Sequence, residues 1–424
     1  MLMSERQWRV LSLLERLNRG EVTVGEVAAS LKRSRRQVQR MRKRLAAGGA
    51  AGLTHGNAGR RPKHRTSEEI REQVLMLRRG KYDGFNDQHF TEKLVEVEGL
   101  RLSRETVRRI LRDAGLGSPR KRRPPKHRQR RERKAQAGQM ILWDGSEHDW
   151  LEGRGPRLCL MGAIDDATGE FLPGAHFTEQ ESTVGYLRVL RDILREKGIP
   201  HTVYGDRHSS LRRNDKHWTL EEELAGRQEP TQVGRALANL GVEVRYALSA
   251  PAKGRVERLW GVLQDRLTSE LRLVGASTRG QANKVLSEYR DAHNKRFAVA
   301  PQDTQPAWRT APSDHTQLLD LCALHYVRKV YKNNTVRLHG HVIDIPKRPN
   351  SKYATYAGKD VVVKHLLSGD YRVFYGEECI AWASGSRPKP STTSNRNNDK
   401  NDKNDKNDKN DKNDNKEVTL SPSS

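Results

Sequence analysis

Met140-Ile141-Leu142-Trp143-Asp144 is an apolar run closed by a carboxylate. A short apolar run of this kind predicts a buried strand. Residues 157–164 and 171–178 repeat the apolar character and predict two more strands. Gly153-Arg154-Gly155-Pro156 and Asp166-Ala167-Thr168-Gly169 lie between them, and residues of these types build tight turns. Three strands joined by short turns predict an antiparallel meander.

Past the third strand the period lengthens. Ser182 to Lys197 reads as a helix with Leu187, Leu190 and Leu194 on its apolar stripe. A strand at His201–Tyr204, a polar insertion at 211–229, a helix at 231–240 and a strand at Val242–Tyr246 follow. The next helix begins near Gly254 and runs to about Leu271, with Val256, Leu259, Leu263 and Leu267 as its stripe. Three antiparallel strands and then alternating helix and strand is the order of an α/β, ribonuclease H-like core. The expected extent is 139–315.

Three acids stand out by their setting. Asp144 closes the first strand, and Asp206 follows Thr202-Val203-Tyr204-Gly205 at the end of the fourth. Glu257 lies in Ala252-Lys253-Gly254-Arg255-Val256-Glu257-Arg258-Leu259-Trp260, at the opening of a helix. The fourth strand is expected beside the first, so the three carboxylates can converge. Mg²⁺ (or Mn²⁺) prefers carboxylate oxygens and keeps several waters, so three acids suffice for two ions. Two ions about 3.5–4 Å apart serve an in-line displacement at a phosphodiester. Each acid also has a plain structural reading. Asp144 can be a strand-end turn residue, Asp206 a helix cap, and Glu257 the partner of Arg258 or Lys253. Asp149, Asp165 and Asp166 are rivals for the first position, although Asp165-Asp166 reads more as a turn. Lys253, Arg255 and Arg258 are candidate phosphate contacts beside Glu257. His208 is either a surface residue or a proton shuttle near the phosphate.

Upstream the chain is helical and basic. Trp8, Leu11, Leu14 and Leu17, then Val24, Val27, Ala28 and Leu31, recur at helical spacing. Ser34 is a candidate N-cap for a helix with Val38, Met41 and Leu45 inward and Arg35, Arg36, Arg40, Lys43 and Arg44 outward. Two helices joined by a short turn, the second basic, predict a helix-turn-helix over 1–48. A Gly- and Arg-rich linker occupies 49–65. The pattern repeats over 66–118, opened by a Thr66/Glu69 capping box. Its last helix, capped by Ser103, presents Arg104, Arg108, Arg109 and Arg112. Two such units in tandem suit a long DNA site. A basic linker over 119–138 can track a phosphate backbone.

Composition supports a polyanionic partner. Lys and Arg number 79 against 53 Asp and Glu, a formal charge of +26, which speaks for nucleic acid rather than for any fold. Length predicts about three domains. No stretch approaches the roughly 18 apolar residues of a membrane span, and no signal-peptide apolar region opens the chain. Cys159, Cys322 and Cys379 lie far apart, which excludes a zinc finger or a disulfide framework and fits a reducing cytoplasm. Two hairpins, around His339-Gly340-His341 and Ser368-Gly369-Asp370, predict a small β-barrel over 325–385. Residues 386–424, with Asn-Asp-Lys repeated, carry too little apolar surface for a core and are expected to be disordered.

Trp143-Asp144-Gly145-Ser146-Glu147-His148-Asp149-Trp150, Tyr204-Gly205-Asp206-Arg207-His208-Ser209 and Ala252 through Arg258 resemble the catalytic blocks of insertion-sequence transposases of the ISNCY family. That family lies in the DDE superfamily, with a retroviral-integrase-like catalytic core. Glu179 to Tyr186 and Tyr289 through Pro301 are also similar to the family, and the resemblance spans about 5–380. It implies a metal-dependent recombinase in which Asp144, Asp206 and Glu257 are the metal ligands. It further implies cleavage of 3′ ends at terminal inverted repeats, strand transfer to target DNA, and a homodimer or higher oligomer on DNA. The segment 207–256 is longer than the corresponding spacing in retroviral integrases, which an insertion at 211–229 explains. Gly205 replaces a common Ser. A zinc-binding module of the integrase type is absent from the sequence, and tandem helix-turn-helix units stand in its place. Two alternatives share these features: a non-catalytic or domesticated DNA-binding regulator, and a structure-selective nuclease.

Overall fold

The computed structural model describes residues 5–54, 66–117, 131–206, 208–211, 213, 218–226, 228–246, 254–347 and 355–385. The expected disordered tail, the basic run 118–130, most of the 49–65 linker, much of the polar insertion, and Lys253 lie outside them. The chain divides into two compact units, Met1–Val74 and Leu75–Ser424.

In the first unit, α1 (Glu5–Asn18), α2 (Val24–Leu31) and α3 (Arg35–Gly48) enclose Leu14, Leu17, Val27, Ala28 and Val38. Capping sets their boundaries. Thr23 and Glu26 form a reciprocal box at the start of α2, and Ser34 and Gln37 form one at the start of α3, each satisfying two orphan donors. Lys32 takes the left-handed conformation (φ 49°) that ends α2 and turns the chain toward α3. Ser34→Ala should therefore cost about 1 kcal/mol. Faster amide exchange confined to the first turn of α3 would register it, and unchanged exchange would contradict the cap's role.

Helix α4 (Glu68–Arg79) begins one residue later than a Thr66 cap requires. Ser67, not Thr66, accepts from the Ile70 amide (3.4 Å), because with Glu68 as the first helical residue the cap falls at 67. Helices α5 (Asp87–Glu96) and α6 (Arg104–Asp113) follow, capped by Asn86 and Ser103.

The central sheet has the order β3-β2-β1-β4-β5, from β1 (Met140–His148), β2 (Leu158–Asp165), β3 (His176–Thr178), β4 (Thr202–Gly205) and β5 (Glu243–Tyr246). The first three strands are antiparallel neighbours, whereas β4 runs parallel to both β1 and β5. The third strand is much shorter than 171–178. Pro173 lacks an amide hydrogen and Gly174 has φ +81°, so only a bridge at Phe171 and the ladder from His176 remain.

Helices cover both faces of the sheet: α7 (Thr183–Glu196) and α9 (Gln232–Asn239) on one, α10 (Gly254–Leu273) and α11 (Arg279–Phe297) on the other. A short α8 (Leu220–Ala225) lies between β4 and α9 in the chain. Alternation along β1 sends Ile141 and Trp143 to the α7 face and Met140 and Leu142 to the α10 face. Among the edge groups, Asn283 and Asn294 of α11 serve β3 and its approach. Asn283 Oδ1 accepts from the Phe177 amide (2.7 Å) and Asn294 Oδ1 from the Phe171 amide (2.8 Å). The two asparagines are three helical turns apart, so one face of α11 satisfies backbone that a sheet edge leaves unpaired.

The second helical triplet is fastened to this core. Glu270 of α10 meets His89 (2.7 Å) and Lys93 (2.8 Å) of α5, and Glu92 of α5 meets Arg266 (2.6 Å) and Arg296 (3.2 Å).

After α12 (His315–Leu321) come β6 (Leu324–Lys329), β7 (Thr335–Leu338), β8 (His341–Asp344), β9 (Asp360–His365), β10 (Tyr371–Tyr375) and β11 (Glu378–Ala383). Both hairpins predicted from the turns are present. His339 (φ 49°) and Gly340 (φ 76°) supply the two left-handed positions of the first. Among the described residues the strands form a four-stranded sheet, β11-β10-β9-β6, and a separate β7-β8 pair.

Candidate active site

Register places the two aspartates together. Leu142 of β1 pairs with Tyr204 of the parallel neighbour β4. Two residues further along each chain stand Asp144 and Asp206. Leu142 faces α10, so Asp144 shares that face, and the same alternation carried one residue beyond β4 puts Asp206 there too. Trp260 of α10 donates from Nε1 to Asp144 Oδ2 (3.3 Å), and the His208 amide donates to Asp206 Oδ1 (2.9 Å).

Glu257 belongs to the first turn of α10 and is exposed, while its neighbour Val256 is fully buried. It lies one turn before Trp260, the residue that touches Asp144, and residues three apart are neighbours on a helix surface. Among the described residues no three His, Cys, Asp or Glu side chains are close enough to hold one ion. The structure thus puts Asp144 and Asp206 on one face at matching register and leaves Glu257 one helical turn from the Trp260–Asp144 contact.

The rivals for the first position are occupied in turns. Asp149 accepts from the Gly153 amide (3.1 Å). Asp165 accepts from the amides of Gly138, Ala167 and Thr168 at 2.8–3.0 Å. Asp166 is fully buried; it pairs with Arg131 and Arg255 and accepts from the Lys134 amide (2.8 Å).

A fourth carboxylate at this site, Glu181, was not singled out from the sequence. It accepts from Tyr186 Oη (2.5 Å) and lies 3.4 Å from His208 Nδ1. Burial pushes its carboxyl up; Tyr186 and His208 oppose the shift, and the negative charge of Asp206 and Asp144 adds to it. Cys159, just behind, is pushed up to about 12 by burial and by Glu181, Glu147 and Asp144, which favours the neutral thiol. The acids gathered here offer oxygen donors, a set that suits Mg²⁺ or Mn²⁺.

The basic residues divide by placement. Arg35, Arg36, Arg40, Lys43 and Arg44 are exposed on α3, and Arg104, Arg108 and Arg109 are exposed on α6. Arg112 turns inward instead, to Asp87 (2.6 Å) and the Leu116 carbonyl (2.6 Å). Arg255 is committed to buried Asp166, and Arg258 is exposed. Both inward-turned arginines have an acid partner remote in sequence, which local spacing could not reveal. Among the described residues no helix is long and apolar enough to cross a membrane.

Known proteins are similar to this chain over much of its length. The family described as winged helix-turn-helix matches residues 12–72, running through the segment read above as a linker. The protein y4bF of Sinorhizobium fredii, whose name calls it a transposase, is 38% identical over 70% of this chain. That alignment spans 64% of the length of y4bF. The transposase for insertion sequence IS1202 of Streptococcus pneumoniae is 32% identical, over 67% of each chain. Among solved structures, the simian T-cell lymphotropic virus intasome in complex with PP2A regulatory subunit B56 gamma matches 74% of this chain and 96% of its own, at 13% identity and TM-score 0.30. The HTLV-2 integrase catalytic core domain in complex with magnesium matches 36% and 86%, at 14% identity and TM-score 0.25. On the identity and coverage of its two sequence relatives, the chain belongs to the insertion-sequence transposases.

Proposed function

We propose that this chain binds the terminal inverted repeats of its element, cuts their 3′ ends and joins them to target DNA. The observation that carries the proposal is the register match of Asp144 and Asp206 on one face of adjacent parallel strands, with Glu257 one turn from the Asp144 contact. Asp144, Asp206 and Glu257 are the proposed ligands of two Mg²⁺ (or Mn²⁺) ions, whose chemistry is activation of an oxygen nucleophile and neutralisation of the leaving oxygen. Trp260 orients the Asp144 carboxylate. The main chain at His208 orients that of Asp206. Val256, buried on the sheet-facing side of α10, anchors the helix turn that carries Glu257. Water as nucleophile gives end cleavage, and the freed 3′-OH gives strand transfer at the same three carboxylates.

The two basic helices, α3 and α6, are the proposed readers of the repeat, with Arg258 and Lys253 meeting phosphate near the cut. The proposed catalytic domain is ribonuclease H-like over 139–315, and the β-strands over 325–385 form a small barrel-like module. Two element ends must meet, so at least a homodimer assembles on DNA, in the bacterial cytoplasm.

An end-labelled duplex carrying the element's own terminus, incubated with the full chain and Mg²⁺, should acquire a 3′-end nick, and the end should join a target plasmid. Binding without nicking would favour the regulator, and nicking without joining the nuclease. Binding should also weaken with salt by about 0.9 log units per log unit for each phosphate contact. Arg36→Ala or Arg40→Ala should each reduce that slope by about one contact. A flat salt response would contradict the basic-helix reading.

A further inference from the structure

We propose that Glu181 is a positioning residue that braces the two aspartates from behind the sheet; the inference rests on the reading of Asp144 and Asp206 given above. Glu181 immediately precedes Ser182, the cap of α7, and so approaches from the α7 face, opposite the face that carries Asp144. Three observations fix its carboxylate there. Tyr186, one turn into α7 and packed in that layer, donates to Oε1 (2.5 Å). The other oxygen, Oε2, fills a notch against β1 that exists because residue 145 is glycine. A Cβ at Gly145 would stand 2.7 Å from Oε2 and 3.0 Å from Cys159 Sγ. Oε1 also lies 3.4 Å from His208 Nδ1, which is 3.3 Å from the Ser210 amide. The main-chain amide of His208 in turn holds Asp206 Oδ1 at 2.9 Å. A continuous path therefore runs from α7 through Tyr186, Glu181 and the His208 ring to the backbone that aims Asp206.

Its position on the opposite face makes Glu181 a support rather than a further ligand on the α10 face. The carboxylate packs against the His208 ring, and the ring, accepting from the Ser210 amide at Nδ1, keeps His208 where its own amide reaches Asp206. Losing a supporting group of this kind typically lowers metal affinity or activity by about 10–100-fold.

The test measures single-turnover nicking of the terminal duplex by the full chain across a Mg²⁺ titration. Glu181→Gln should nick about 10–100-fold more slowly, require more Mg²⁺ for half-maximal rate, and bind DNA with unchanged affinity. Because the effect passes through His208, the double variant Glu181→Gln/His208→Ala should be no slower than His208→Ala alone. Gly145→Ala keeps every charge but displaces the carboxylate, so it should reproduce the Mg²⁺ shift; it decides the matter if Glu181→Gln fails to fold. A wild-type rate and Mg²⁺ requirement in Glu181→Gln overturns the inference, as does multiplication of the two losses in the double variant. Wild-type nicking by Asp144→Asn would instead remove the function proposed above, so the two failures are distinguishable.

Discussion

Asp144→Asn is expected to slow metal-dependent 3′-end nicking by about a thousandfold or more while leaving binding to the terminal repeat intact. The magnitude follows from the several kcal/mol that metal-assisted charge stabilisation contributes, at 1.36 kcal/mol per decade of rate. Asparagine keeps the shape and one oxygen, so Trp260 retains an acceptor and the strand retains its pairing. Folding should not suffer. The substitution removes one negative charge from beside Asp206 and Glu181, whose carboxyl the acids already push up. The melting temperature should therefore hold or rise, as expected where function and stability compete. A rate within threefold of wild type would remove Asp144 from the chemistry, and a collapsed melt would make its role structural. Asp206→Asn and Glu257→Gln should lose nicking in the same manner. Glu257 is the more exacting case, because it is exposed and stands a turn away from the Trp260 contact.

Asp166→Ala is expected to lower the stability of the second unit by about 3–5 kcal/mol, the usual cost of removing one partner from a buried ion pair. Asp166 is inaccessible, and its carboxylate receives both Arg131 and Arg255. Arg255 itself is only 12% exposed in its side chain, so the variant leaves a guanidinium largely cut off from water. The Lys134 amide loses its acceptor as well. For a unit of this size the melting temperature should fall by on the order of 10 °C. Asp166→Asn should fall less, since it can still accept from the amide. A loss under about 1 kcal/mol for the alanine variant would mean that the arginines find other partners and that the clamp is incidental. The clamp also joins the end of the basic linker to the first turn of α10, so exchange should quicken at Arg255 and Val256 before it does elsewhere in that helix.

Much of the core was legible because its signals are local. Ser34 and Ser103 mark helix starts by chemistry that acts over three residues, and each caps the helix expected of it. The stripe Val256, Leu259, Leu263 and Leu267 is the buried face of α10. The order of strands and helices was enough to place β4 beside β1. What escaped depends on partners far apart in the chain. Arg112 was read as outward because its helix is basic, yet Asp87 captures it across 25 residues. The asparagines of α11 look like ordinary helix polars until the sheet edge they serve is known. Strand β6 has no adjacent hairpin turn and pairs with the distant β9, whereas β11 follows β10 through the two-residue turn Gly376-Glu377, a local signal that was available. For Glu181 the available clue was its place directly before the Ser182 cap, in a segment already noted as family-like, but nothing local shows that it lies behind Asp144. Pro173 should have shortened the third strand on sequence grounds alone.

The junction between α5 and α10 has a consequence for how far apart reading and cutting occur. His89 and Lys93 grip Glu270, and Arg266 and Arg296 grip Glu92, so α5 is tied at two places to the helix that bears Glu257 and to α11. With α6 seated on the duplex, the fold works as a caliper whose jaws are set by protein. On the proposed function, with α6 reading the repeat, the bond to be cut would be specified by its distance from the bases that α6 touches. Inserting about five base pairs, half a turn of the double helix, between those bases and the terminus would carry the old cleavage position to the far side of the duplex.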